Sequence, residues 1–220
     1  MAEFSQITPP LGVLPGQLGV ILIGRVIMGD IAATVVDLAL RQHIRVEEAP
    51  NEGWLISRSG NSNSQTLAAY EKTLLDVLPD APALLSGIEN SVPEETRKAL
   101  VHDGVARGWL RHLLHERTAV AEELATHVLA FRRQMRQALR DHNPDALADS
   151  LLPYALHFGL AADDGAPLAR FSQAWVDTFA HLPGWRPAAP ARRAEDVTIT
   201  INSDHDLANA AAMDWVLGAL

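Results

Sequence analysis

The stretch DIAATVVDLALRQHIRVEEAPNEGWLISRS, residues 30–59, changes period in its middle, and that change decides the fold. Its first half sets Ile31, Val35, Leu38 and Ala39 at i, i+4, i+7 and i+8, the spacing that gathers apolar side chains on one face of a helix. Asp30 stands ahead of that run as the expected N-cap, and His43 lies near its end. In Ile44-Arg45-Val46-Glu47 the period shortens to two, Asn51-Glu52-Gly53 supplies turn residues, and Trp54-Leu55-Ile56-Ser57-Arg58 returns as a β-rich run. Upstream, Pro9-Pro10 and Pro15-Gly16 punctuate the entry, and Leu18, Ile21, Leu22 and Val26 recur at helical spacing up to Gly29, which is expected to stop a first helix. Helix, helix, hairpin is the order of a winged helix, so residues 9–60 read as a winged-helix-like unit.

Beyond it, Gly60 to Gln65 is small and polar and reads as a loop. A helix is expected from Thr66 to Leu78, and a helical stretch from about Pro93 to Leu114, broken near Gly104 and Gly108. Thr118 is placed to cap the longest helix, whose apolar stripe is Val120, Leu124, Val128, Phe131, Met135 and Leu139; Glu122 and Glu123 open it and Arg136 and Arg140 close it, the order a helix dipole favours. Pro153 opens a short helix ending at Gly159, and Pro167 to Ala180 forms another, with Leu168, Phe171, Trp175 and Phe179 on one face. Residues 66–182 therefore read as a helical domain. After the Pro/Ala-rich Pro187 to Arg193, the run Val197-Thr198-Ile199-Thr200-Ile201 predicts a strand and Leu207 to Leu220 a closing helix, a terminal strand-helix extension over 194–220. The fold class is mainly α with small β: the N-terminal winged-helix-like unit, a helical C-terminal bundle, and that terminal strand plus helix.

An apolar fraction of 48% in 220 residues is enough for a sizeable core. The net charge of −9 opposes attraction to nucleic-acid phosphates and anionic lipid. Zero cysteines remove disulfides, thiolate nucleophiles and zinc ribbons together. The apolar run Leu18 to Ile23 is far shorter than the roughly 20 residues that span a bilayer. Met1 to Pro10 carries an acidic Glu3 and no basic segment, unlike a signal peptide, so a soluble cytoplasmic protein without membrane contact is expected.

The residues Gly24-Arg25-Val26, Asp30-Ile31-Ala32-Ala33-Thr34, Asp37-Leu38-Ala39 and Ile44-Arg45-Val46-Glu47-Glu48 resemble the start of the cytosolic region of bacterial predicted membrane proteins classed as domain of unknown function 2207. Phe131-Arg132, then Leu152-Pro153-Tyr154-Ala155-Leu156 with Gly159-Leu160 ahead of Trp175 and Phe179, resemble that family's later signature stretches in the same order. The resemblance covers roughly residues 9–182. It implies shared ancestry and brings no catalytic residues. Family members carry transmembrane helices where this chain has Arg111 to Arg117, so membrane attachment does not carry over, and His157 stands where a small or apolar residue is the family's pattern.

A winged helix first suggests DNA, but residues 16–60 hold Arg25, Arg41, Arg45 and Arg58 against Asp30, Asp37, Glu47, Glu48 and Glu52, a net charge of −1. The face Thr34, Asp37, Arg41 sets one positive charge against one negative, too little to hold a duplex. A winged helix without a positive field more commonly meets polypeptide, along its wing edge or beside its second helix. The partner-binding candidates are accordingly Thr34, Asp37 and Arg41, with the i, i+4, i+8 stripe Arg132, Arg136 and Arg140 as a second surface for an acidic segment. The expected function is that of an accessory or scaffold protein for a protein or peptide partner, with a homodimer possible.

The alternative is an enzyme with a helical His/carboxylate site. Its residues would be His157, the one weak catalytic candidate, or His102, His112, His115 and His127 with Glu116, Glu122 and Glu123. His112-Leu113-Leu114-His115-Glu116 is not a His-Glu-x-x-His string, so no metal and no cofactor is expected. Asp204-His205-Asp206 follows Ser203 at a turn and reads as a helix cap, not as an acid/base pair. Whether His112, His115 and His127 converge is left open by the sequence.

Overall fold

Gly24 and Asp30 set the start of the chain's fold. In the computed structural model, which describes residues 7–60, 67–111, 116–141, 149–160, 167–182 and 185, a 3-10 turn at Pro15–Gln17 leads into α1, Leu18–Ile23. Gly24 ends α1 at φ 69°, the left-handed conformation that glycine adopts without steric cost, and its N–H bonds to the Val20 carbonyl. The first helix therefore stops before Gly29, not at it. Gly29 lies inside the first turn of α2, Met28–Leu40, and Asp30 is the third helical residue instead of the N-cap. The physical reason is that the Asp30 carboxylate reaches back to the Ile27 N–H at 2.7 Å, the acidic half of a capping box.

β1, Ile44–Ala49, and β2, Gly53–Arg58, follow as the expected hairpin, paired Ile44↔Arg58 through Ala49↔Gly53. Helix α3 spans Ala69–Val77. After it comes a strand too short to show in the sequence: β3, Ala83–Leu84, pairs antiparallel with β2, giving the sheet order β1-β2-β3. Helix α4 spans Ser91–Ala106 and ends before Gly108, which is left-handed at φ 72°. Helix α5, Ala119–Arg140, is capped as expected by Thr118, whose hydroxyl oxygen accepts from the Ala121 N–H. Helices α6, Leu152–His157, and α7, Pro167–Phe179, complete the described residues. The fold is mainly helical with one small antiparallel sheet. The polar segment 60–65 lies largely, and the terminal strand-helix extension wholly, outside the described residues, as do His112, His115, Ser203, Asp204, His205 and Asp206.

The core is built around α2. Ile31, Ala32, Ala33, Thr34, Val35 and Val36 are consecutive and all buried, so α2 is covered on every side. Helices α6 and α7 pack against it, and α1 approaches through glycine: a Cβ on Gly19 would run into the Asp30 carboxylate, and one on Gly16 into the Thr34 hydroxyl. An aromatic layer closes the far side. Phe131 meets Tyr154 edge-on with centroids 5.4 Å apart, and Trp54, Phe171, Trp175 and Phe179 stack in sequence at 5.5, 6.2 and 4.9 Å. The α5 stripe is rotated from its expected line: Ala121, Ala125, Val128, Phe131 and Met135 face inward while Val120 is 56% exposed. No helix among the described residues is long and apolar enough to cross a membrane.

Candidate functional site

Three polar features and one strand edge are candidates. The most buried is Asp30 with His157. Asp30 Oδ1 accepts from the Gly19 N–H at 2.8 Å and lies 3.2 Å from His157 Nδ1, while Oδ2 accepts from Ile27; both side chains are wholly excluded from solvent. Burial drives the Asp30 carboxyl up to about 8 against the pull of the Ile27 and Gly19 N–H groups. Burial, aided by the positive charge of Arg132 and opposed by a hydrogen bond with the Gly29 backbone, drives His157 down to about 3. At neutral pH the pair is thus a carboxylic acid beside a neutral imidazole. A carboxyl and an imidazole are the parts of an acid/base relay, but neither residue lines the groove at the start of β1 or the depression along α5. As it stands, the pair braces α1, α2 and α6.

The second feature lies at the C-terminal end of α2. Arg41 bonds to Asp37 at 2.7 Å and to Glu71, whose other carboxylate oxygen accepts from the Ala68 N–H at the start of α3 at 2.7 Å. Burial pushes the Asp37 carboxyl up, against the attraction of Arg41. The three residues Thr34, Asp37 and Arg41, placed by the sequence reading on an open face, are therefore engaged internally. Thr34 is 1% exposed and its hydroxyl donates to the Asp30 carbonyl at 2.7 Å; Asp37 and Arg41 tie α2 to α3 through Glu71.

The arginine stripe divides. Arg132 is 6% exposed, with its guanidinium 5.9 Å from the Phe158 ring centroid, whereas Arg136 and Arg140 are exposed beside Arg133 and Gln137 along a shallow depression on α5. His102 and His127 are exposed on α4 and α5, and among the described residues no group of three or more His, Asp or Glu is placed to hold a metal ion.

The fourth feature, the outer edge of β1, was named in the sequence only as a wing edge. The Ser59 N–H bonds to the His43 carbonyl at 2.9 Å. With the register Arg45↔Ser57 and Glu47↔Leu55, the odd-numbered residues exchange hydrogen bonds with β2 and the even-numbered Ile44, Val46 and Glu48 aim their N–H and C=O groups outward. Among the described residues no strand pairs with that edge. A groove of about 340 Å³ lies at the start of β1, lined by Ala39, Gln42, Ile44, Arg45, Val46, Ser59 and Leu168. Burial patterns could not have revealed this edge, because strand order depends on β3, which is two residues long.

No protein-family model, curated protein or solved structure matches the chain.

Proposed function

We propose that this chain is a protein- or peptide-binding module of the cytoplasm, an accessory protein that takes an extended segment of polypeptide along the outer edge of β1. The observation that carries the reading is the pair of outward-facing residues Val46 and Glu48 on an edge that no described strand covers, beside a groove lined by Ala39, Ile44, Val46 and Leu168 together with the polar Gln42, Arg45 and Ser59. Backbone bonds to an added strand supply affinity, and the groove selects the side chains that alternate with them. Helix α2 offers no such surface, being covered by α6 and α7. A duplex is disfavoured by the net charge of −9.

The test uses a photo-crosslinking side chain in place of Arg45, which is exposed on β1, and the same replacement in a Val46→Pro background. Proline removes one outward N–H and leaves the β1–β2 bonds intact, since Val46 donates nothing to β2. Crosslinks to a defined polypeptide that vanish in the Val46→Pro background are expected. Crosslinks that persist there, or none in the wild-type background, overturn the reading.

A further inference from the structure

The charges on the β1 edge restrict which strand can pair with it. Arg45 and Glu47 stand on the solvent face at 62% and 58% side-chain exposure, flanking the half-buried Val46, with Arg45 Nε 3.9 Å from Glu47 Oε1 in a long ion pair along the strand that a cross-strand partner would replace. Charged side chains on an edge strand normally guard it against promiscuous pairing, and they do so by leaving like or unpaired charges opposite an arbitrary partner. A strand whose charges answer them escapes the guard. One such strand is on the page, namely β1 itself read in the opposite direction.

Self-pairing across a two-fold axis is antiparallel, so each possible register is centred on one residue of the strand. Centred on Arg45, it sets Arg45 against its own copy; centred on Glu47, it sets Glu47 against its copy; centred on Glu48, it repeats Glu48 against Glu48. Centred on Ile44, it pairs little of the strand. Centred on Val46, opposite charges meet and no like charges do. Val46 faces Val46, and the two exchange their outward N–H and C=O groups, while Ile44, which is 3% exposed, faces Glu48 at the end of the pairing. Arg45 then lies opposite Glu47 twice, once on each side of the axis, in the non-hydrogen-bonded pairs where cross-strand side chains come closest. On the other face, the Val46 side chain of the second copy packs against Val46, and its Glu48 lies beside Ile44.

We propose that the β1 edge takes the β1 of a second copy of this chain, joining two three-stranded sheets into one six-stranded antiparallel sheet about a two-fold axis at Val46. This names the occupant of the edge and rests on the preceding reading that the edge binds an extended strand. Glu48 is held by Arg170 in a two-point ion pair at 2.8 and 2.9 Å over Trp54. That pair ties the Glu48 carboxylate to α7.

The experiment measures the mass of the full chain in solution by light scattering across a concentration series, alongside Val46→Pro, Arg45→Glu, Glu47→Arg and the double exchange R45E/E47R. Circular dichroism establishes that each variant is folded. A species of twice the 23.9 kDa chain mass is expected for the wild type. Val46→Pro should be monomeric, each single charge reversal should weaken association at least about tenfold, and the double exchange, which restores opposite charges in the same register, should recover it. A wild type that stays at 23.9 kDa, or a dimer that survives Val46→Pro, overturns the proposal. So does a double exchange no better than its singles. Failure here is separable from failure of the binding reading: a monomeric wild type that still gives Val46-dependent crosslinks to another polypeptide refutes self-pairing alone.

Discussion

Asp30 shows how one residue joins three helices. Its carboxyl receives N–H groups from Gly19 and Ile27 and faces His157, so α1, α2 and α6 meet at a single buried group. The consequence for pH is the reverse of the usual carboxylate. Asp30 keeps its proton to about 8 in the native chain but releases it near 3.8 when unfolded, so its contribution is fully present below 3.8 and is lost as pH rises through 8. His157, at about 3 folded against 6.5 unfolded, contributes above 6.5 and loses that contribution as pH falls through 3. Between 3.8 and 6.5 the two slopes oppose each other, and from 6.5 to 8 only the falling slope of Asp30 remains. The expected outcome is a loss of up to about 1.4 kcal/mol per pH unit across that upper window, read from urea midpoints, and its disappearance in Asp30→Asn. An equal slope in the variant would refute the assignment. The neighbouring glycines differ for steric reasons. Gly19→Ala drives a methyl into the Asp30 carboxylate and stands 2.8 Å from the Arg25 carbonyl, so a loss of about 1–3 kcal/mol or more is expected. Gly29→Ala meets only the Ile27 side chain at 3.5 Å and should hold or raise the melting temperature, because alanine is the better helix former.

Elements were legible in the sequence where their signals were local. The α5 cap is an example: Thr118 takes the Ala121 N–H and donates its own hydroxyl to the Gly108 carbonyl at 2.6 Å, fastening the helix to the turn before it. Thr118→Ala should cost about 1–2 kcal/mol in thermal or urea denaturation, and a neutral result would show that water replaces both bonds. The hairpin was legible too, since its two alternating runs and its turn adjoin. What escaped was set by residues far apart in the chain. Nothing near Asp30 announces His157, and a polar residue beside Ile31 reads as a cap until α1 and α6 close over it. Arg132 looked like one of three exposed arginines because spacing fixes which residues share a face, not which face the core takes. In the fold Arg132 faces inward beside Phe158, and Val120 is exposed. Of the candidate surfaces, the wing edge was visible in outline; its free side became definite only once β3 had taken the other side of β2.

At the scale of the molecule, the hairpin-bearing N-terminal segment and the later helices share one body of buried side chains, running from Val13 through Ile31, Val35 and Ile56 to Phe158, Phe171 and Trp175. Helix α2 is the reason. A helix with six consecutive buried residues has no solvent face to present when its neighbours are removed, and α6 and α7 supply much of its cover. Residues 9–60 prepared alone would set Ile31, Val35 and Val36 in water and leave Asp30 without His157. At roughly 2 kcal/mol for each large apolar side chain returned to water, the loss exceeds what a segment of that size can recover from its hairpin. The excised segment is expected to show a largely disordered far-ultraviolet spectrum. The intact chain should unfold in one transition, with fluorescence from Trp54, Trp109 and Trp175 tracking the backbone signal, because these three indoles lie in the hairpin, after α4 and in α7. A folded excised segment, or tryptophan and backbone transitions at separate midpoints, would mean that α2 holds its structure without α6 and α7; the burial of Thr34 would then be a late docking event, and the groove beside α2 would be open to a partner before that docking occurs.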